Sequence, residues 1–175
     1  MFSWMRMEPG GPVTDVDDGD RLLRYAHCDG SVDPGGRTPR DLTRTGVLRA
    51  VVPPGAVVCM ATAWALHTGT ATLSLDLVGD TGDAVAGTRT FPLAVRECEL
   101  TVIGSVRCTT LVRTVFDLAC LAPLEVAAQA LVDAREWVSR SDFAELLEVH
   151  AAAPGAARAG HLRSMVWRAA ASGCR

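Results

Sequence analysis

Residues 104–119 read Gly-Ser-Val-Arg-Cys-Thr-Thr-Leu-Val-Arg-Thr-Val-Phe-Asp-Leu-Ala, and the change of period within this stretch decides the fold class. Gly104-Ser105 sits between the β-prone runs 100–103 and 106–108, which reads as a tight hairpin. Thr109 or Thr110 then caps a helix to about Cys120, with Leu111, Val115, Leu118 and Ala119 on one face. Strands therefore precede this point and helices follow it.

Downstream, Pro123 starts a second helix with Leu124, Ala127, Ala128 and Leu131 on its buried stripe. Ser139 with Asp142 three residues on makes a capping box for a third, ending near His150. Pro154-Gly155 breaks the chain, and a last helix over 156–170 turns Leu162, Met165, Val166 and Ala169 inward. Upstream, Leu73, Leu75 and Leu77 alternate with Ser74 and Asp76 as in a half-buried strand, followed by a turn over 79–83. Residues 89–95 form a further strand, which Pro92 places at an edge. Pro53-Pro54-Gly55 forces a turn before a buried helix over 59–67 that stops at Gly69. Asp41 caps a helix reaching about Val51. The expected fold is α+β, a small antiparallel sheet followed by a helical bundle. Residues 1–40, with Gly10-Gly11-Pro12 and the acidic run 15–20, read as poorly ordered, leaving 41–175 as a single α+β domain with a basic C-terminal helix.

Composition narrows the function classes. Of 175 residues, 49% are hydrophobic and 21% charged, so most of the chain can bury a core. The net charge of -3 argues against a protein that coats nucleic acid. All 17 positive residues are arginine, lysine and asparagine are absent, and Ile103 is the sole isoleucine. That bias follows GC-rich codons, so the arginines do not by themselves signal phosphate recognition. Cys28, Cys59, Cys98, Cys108, Cys120 and Cys174 form no C-x-x-C pair and have no histidine at finger spacing. Residues 1–11 show no apolar signal-peptide core, so reduced thiols in a cytoplasmic protein are expected. The uncharged run 50–66 is interrupted by Pro53-Pro54-Gly55 and is shorter than the ~20 residues of a membrane span, so no membrane contact is expected.

No G-x-S-x-G, H-E-x-x-H, Walker A or G-x-G-x-x-G pattern occurs. The glycine-rich 79–87 segment carries Asp80 and Asp83, which repel phosphate. His27, His67, His150 and His161 stand singly and read as structural. The reading is a protein without catalytic site, cofactor, metal or small-molecule substrate. Two groups of residues remain. Arg113 and Asp117 lie four apart, opposite the apolar stripe of their helix, as a solvated ion pair or as an anchor from Arg113 to the preceding hairpin. The last 25 residues hold no acid but four arginines, and Arg158, His161 and Arg168 fall within about 80° on the wheel. With Arg163 and an outward Trp167 they read as a basic face for nucleic acid or an acidic partner, or as an ordinary solvated face.

Two stretches resemble the AbiEi-like antitoxin family. Pro54-Gly55-Ala56-Val57-Val58-Cys59, then Thr62-Ala63-Trp64-Ala65-Leu66-His67, is similar to that family's PPGAVVS…TAAxLHG segment. Gly104–Thr109 followed by Arg113-Thr114-Val115-Phe116-Asp117-Leu118-Ala119 resembles its DGVPVTSxxRTxxDLA element, with Arg113, Thr114 and Asp117 at the motif positions. The resemblance covers about residues 45–170. It implies a type IV toxin–antitoxin class, a nucleotidyltransferase-like toxin as partner, and an N-terminal winged helix that represses the operon. The same region precedes Vsr-like endonuclease domains in related chains. Here no winged helix is legible in 1–40, the sequence ends near Arg175 where that nuclease would begin, Thr68 separates His67 from Gly69, and Gly104-Ser105 replaces Asp-Gly. The expectation is an antitoxin-like regulatory protein acting by protein contacts with weak DNA contact, the alternative being a nuclease-less fragment of an endonuclease-linked protein.

Overall fold

A computed structural model of the chain describes residues 48, 51–70, 72, 74–79 and 88–172. The expected poorly ordered segment 1–40, the Asp41 cap and residues 80–83 of the expected turn lie outside the described residues. Where the sequence reads one domain over 41–175, the chain divides between Thr109 and Thr110 into a sheet unit and a helical unit.

In the sheet unit, β1 (Val57–Val58) leads into α1 (Met60–Thr68), followed by β2 (Leu75–Val78), β3 (Thr88–Phe91), a 3-10 turn over Glu97–Glu99, β4 (Leu100–Ile103) and β5 (Val106–Thr109). The sheet order is β3-β2-β1-β5-β4. The α+β class stands, but the sheet is mixed and the antiparallel expectation is corrected. β1 runs antiparallel to β2, as β4 does to β5, whereas β1–β5 and β2–β3 are parallel. Leu75 pairs with Thr88, so the chain after β2 returns to that strand's start instead of making a hairpin. An alternating apolar pattern reads alike in either direction, which is why strand polarity was hidden.

The hairpin around Gly104-Ser105 forms as read, with Ile103 opposite Val106 and Gly104 at φ 62°. β3 lies at an edge and ends at Phe91, directly before Pro92, short of the expected residue 95. α1 is buried from Met60 to Leu66 and stops at Gly69, whose left-handed φ of 71° closes the helix. Val58, Ala63, Leu66, Leu75, Leu77, Val106 and Cys108 form this unit's core with Leu48.

The helical unit contains α2 (Leu111–Leu121), α3 (Leu124–Ala134), α4 (Arg140–Val149) and α5 (Ala156–Ser172). The Thr110 hydroxyl accepts from the Arg113 N–H to cap α2, and the Ser139 hydroxyl accepts from the Asp142 N–H to cap α4. α2 packs against each of the other three helices and buries every residue from Arg113 to Cys120. Two stripes differ from the reading. On α3 the buried positions are Val126, Ala127, Ala130, Leu131 and Ala134, while Leu124 is 56% exposed and Ala128 only half-buried. On α5 the inward residues are Ala156, Ala159 and Leu162, while Met165 and Ala169 face solvent. Small inward alanines let backbones approach closely, and hydrophobicity alone does not reveal that preference.

Candidate functional site

In the sheet unit the polar focus is Asp76, expected on the solvent side of β2 but fully buried. Its carboxylate accepts the Ala61 N–H at 3.0 Å, capping α1, whose N-cap residue Cys59 offers no side-chain bond. Arg89 on β3 donates to both carboxylate oxygens, Nε at 2.8 Å and a terminal nitrogen at 3.0 Å, a bidentate geometry. Thr62 links the same elements, accepting from the Asp76 N–H at 2.9 Å and donating to the Ser74 carbonyl at 2.7 Å. Met60, beside these bonds at the start of α1, has φ 49° and is the one described non-glycine residue with positive φ. The Arg89 guanidinium is raised above its ordinary pKa, first by its bond to Asp76. At the other end of α1, His67 Nε2–H donates to the Thr109 carbonyl at 2.8 Å, and burial lowers the imidazole pKa despite that bond. The geometry assigns both groups to positioning a helix on a sheet.

In the helical unit, Arg113, Thr114 and Asp117 come together on α2, and all three are buried. Arg113 Nε donates to Asp117 Oδ1 at 2.9 Å. The i,i+4 pair read from the sequence is present, but its solvated character is corrected, because Arg113 is 2% and Asp117 1% exposed. α2 is enclosed by three helices, so the side opposite its apolar stripe is covered as well. Arg113 also donates to His150 Nε2 at 3.0 Å, so that nitrogen carries the lone pair and the ring proton sits on Nδ1. The Arg113 guanidinium lies 5.7 Å from the centre of the Phe116 ring, and Phe116 is 5.7 Å from the His150 ring and 5.9 Å from Phe143. A carboxylate so enclosed is out of reach of a substrate arriving from solvent. The cluster ties α4's end to the middle of α2.

The C-terminal helix does not present the face read from its wheel. Arg158 donates to the Ala119 carbonyl at 3.0 Å and to the Ala122 carbonyl at 2.8 Å, satisfying backbone oxygens at the end of α2. Arg163 donates to the Arg140 carbonyl at 2.9 Å. Trp167 is half-buried, its ring 6.1 Å from that of Phe143, which corrects the outward reading. His161 and Arg168 are exposed, and Arg168 Nε donates to the Ser164 carbonyl of its own helix at 2.9 Å. Of the five residues read as a basic face, Arg158, Arg163 and Trp167 pack into the unit, while His161 and Arg168 face solvent.

Cys59, Cys98, Cys108 and Cys120 form no disulfide. Burial pushes the Cys108 thiol up to about 12, and burial followed by the Asp117 carboxylate does the same for Cys120. Thiols raised in this way stay protonated at neutral pH. Among the described residues no cluster of histidine, cysteine, aspartate or glutamate is arranged to hold a metal ion. No described helix is long and apolar enough to cross a membrane. Sequence reasoning missed the Asp76–Arg89 bond and the part of His150. Arg89 is separated from Asp76 by a stretch whose length gives no register, and His150 reaches Arg113 from another helix. Compared with protein-family models, with curated proteins and with solved structures, the chain matches none.

Proposed function

We propose that this protein is an antitoxin-like regulatory binding protein of the type IV toxin–antitoxin class, acting mainly through protein contacts in the cytoplasm. The observation that carries this reading is that the Arg113-Thr114-x-x-Asp117 element forms the buried scaffold of the helical unit, leaving the unit's outer helices to carry its exposed charge. Residues in such a scaffold hold a surface in place and do not themselves meet a partner. Cysteines that form no disulfide fit a reducing compartment. DNA contact is secondary in this reading, because Arg158 and Arg163 spend donors on backbone carbonyls.

Co-purification of the full chain with the product of its adjacent gene tests the reading. A nucleotidyltransferase-like protein retained at the column supports it. A neighbour of another kind, with nothing retained, overturns it. For nucleic acid, fluorescence anisotropy on duplex DNA across a salt series separates the two modes. The reading expects Arg158→Ala to leave any affinity unchanged. Binding with a log–log salt slope of about -3 to -4 that is lost in Arg158→Ala with Arg168→Ala would restore the basic-face reading.

A further inference from the structure

The charges of the helical unit are sorted by helix. Residues 124–149, which hold α3 and α4, carry Glu125, Asp133, Glu136, Asp142, Glu145 and Glu148 against only Arg135 and Arg140. All six acids are exposed. α5 carries no acid, and of its basic residues Arg168 and His161 are exposed, while Arg158 and Arg163 bond backbone carbonyls of the same unit. Each side also exposes apolar surface. On α3, Leu124, Ala128 and Val132 follow at i, i+4 and i+8, with Leu124 56% and Val132 39% exposed, and Glu125, Asp133 and Glu136 flank that stripe. On α5, Met165 is 52% exposed between His161 and Arg168. One face is thus apolar with an acidic border and the other apolar with a basic border, on two helices that pack against each other.

We propose that two copies of this chain associate through these faces, α3 of each copy taking up α5 of the other. A two-fold arrangement makes the α3–α5 contact twice and satisfies both faces of both copies, as an isologous interface requires. Opposite charges at the border set the register and disfavour α3 on α3 or α5 on α5, where like charges meet. Leu124, Val132 and Met165 supply the apolar area.

A charge exchange tests the proposal on the full chain. In one variant His161→Glu and Arg168→Glu make the α5 border acidic. In the other, Glu125→Arg and Glu136→Arg make the α3 border basic. Sedimentation velocity of the unaltered protein should show reversible self-association at concentrations up to roughly 100 µM, weaker at high salt. Each variant alone should be monomeric, since both of its contacts are then between like charges. An equal mixture of the two should associate again, since the acidic altered α5 of one meets the basic altered α3 of the other, and their unaltered faces meet as in the parent. Regain on mixing cannot come from variants that failed to fold, and circular dichroism of each variant checks the helices directly. An unaltered protein that stays monomeric throughout, leaving these faces to another protein, overturns the proposal. So does association that both variants keep, or a mixture that remains monomeric.

Discussion

Gly155 lies against the end of α2, where a Cβ on it would stand 2.1 Å from the Cys120 carbonyl oxygen and 2.8 Å from the carbonyl carbon. Its φ is 82°, a left-handed value that L side chains rarely adopt. Both constraints act at one residue, just before α5 begins. Three residues on, Arg158 bonds the carbonyls of Ala119 and Ala122. The loop therefore brings α5 onto the end of α2 by a backbone approach that only glycine permits.

Gly155→Ala should be among the most damaging single substitutions in the helical unit. The left-handed backbone alone costs about 1–2 kcal/mol for a residue with a Cβ. The obstruction is backbone, which cannot swing aside as a side chain would, so the total should exceed roughly 3 kcal/mol. A urea melt followed by circular dichroism measures it. A midpoint within error of the parent would mean that the loop readily finds another path.

Arg113→Ala should cost about 3–5 kcal/mol, because it leaves the Asp117 carboxylate buried without its guanidinium. A solvated pair at the same spacing would lose less than ~0.5 kcal/mol. Replacing both partners, Arg113→Met with Asp117→Leu, should recover a large part of the loss, since no charge is then left buried. Urea melts of the two variants beside the parent decide this. A double variant no more stable than Arg113→Ala would show that the pair's hydrogen-bond geometry matters more than charge compensation.

His67 should make stability fall in mild acid. Its folded-state pKa is below the ordinary value, chiefly from burial, so the unfolded chain takes up the proton more readily. The contribution is then fully present above the unfolded value of about 6.5 and is lost as pH falls through it toward the folded value. His67→Gln keeps an N–H near the Thr109 carbonyl without a titrating group. Denaturant midpoints at neutral and mildly acidic pH should differ more for the parent than for this variant. Equal differences would assign the pH dependence to other groups.

The elements were legible where local chemistry determines them. Thr110, Ser139, Gly69 and Gly104 each act through their own backbone or the next turn, and the helices and the hairpin begin or end where those residues stand. Strand polarity was not legible, because a two-residue period carries no direction. The apolar stripe of α2 was legible, but not the covering of its opposite side, and the stripes of α3 and α5 were less so, because alanine occupies both inner and outer positions there. The candidate site was read in part. The spacing of Arg113 and Asp117 gave the ion pair, but burial comes from helices distant in sequence. The wheel placed Arg158 and Arg168 on one side of α5 without showing that the end of α2 would claim Arg158.

The position of β1 in the sheet governs when the sheet is completed. β1 is the earliest strand in the described chain, yet it stands in the middle of the sheet, between β2 and β5. Val58 meets Cys108 only after the rest of the sheet unit has been made. During synthesis from the N-terminus, β1 can gain its β2 neighbour early but must wait for its other side until the last strand leaves the ribosome. Until then the nascent sheet has an open edge at its centre, the kind of backbone surface that recruits stray strands or a chaperone. The hairpin turn at Gly104-Ser105 shortens that wait, because it folds β5 back along β4 as soon as both have emerged, so that the closing strand arrives already paired on one side.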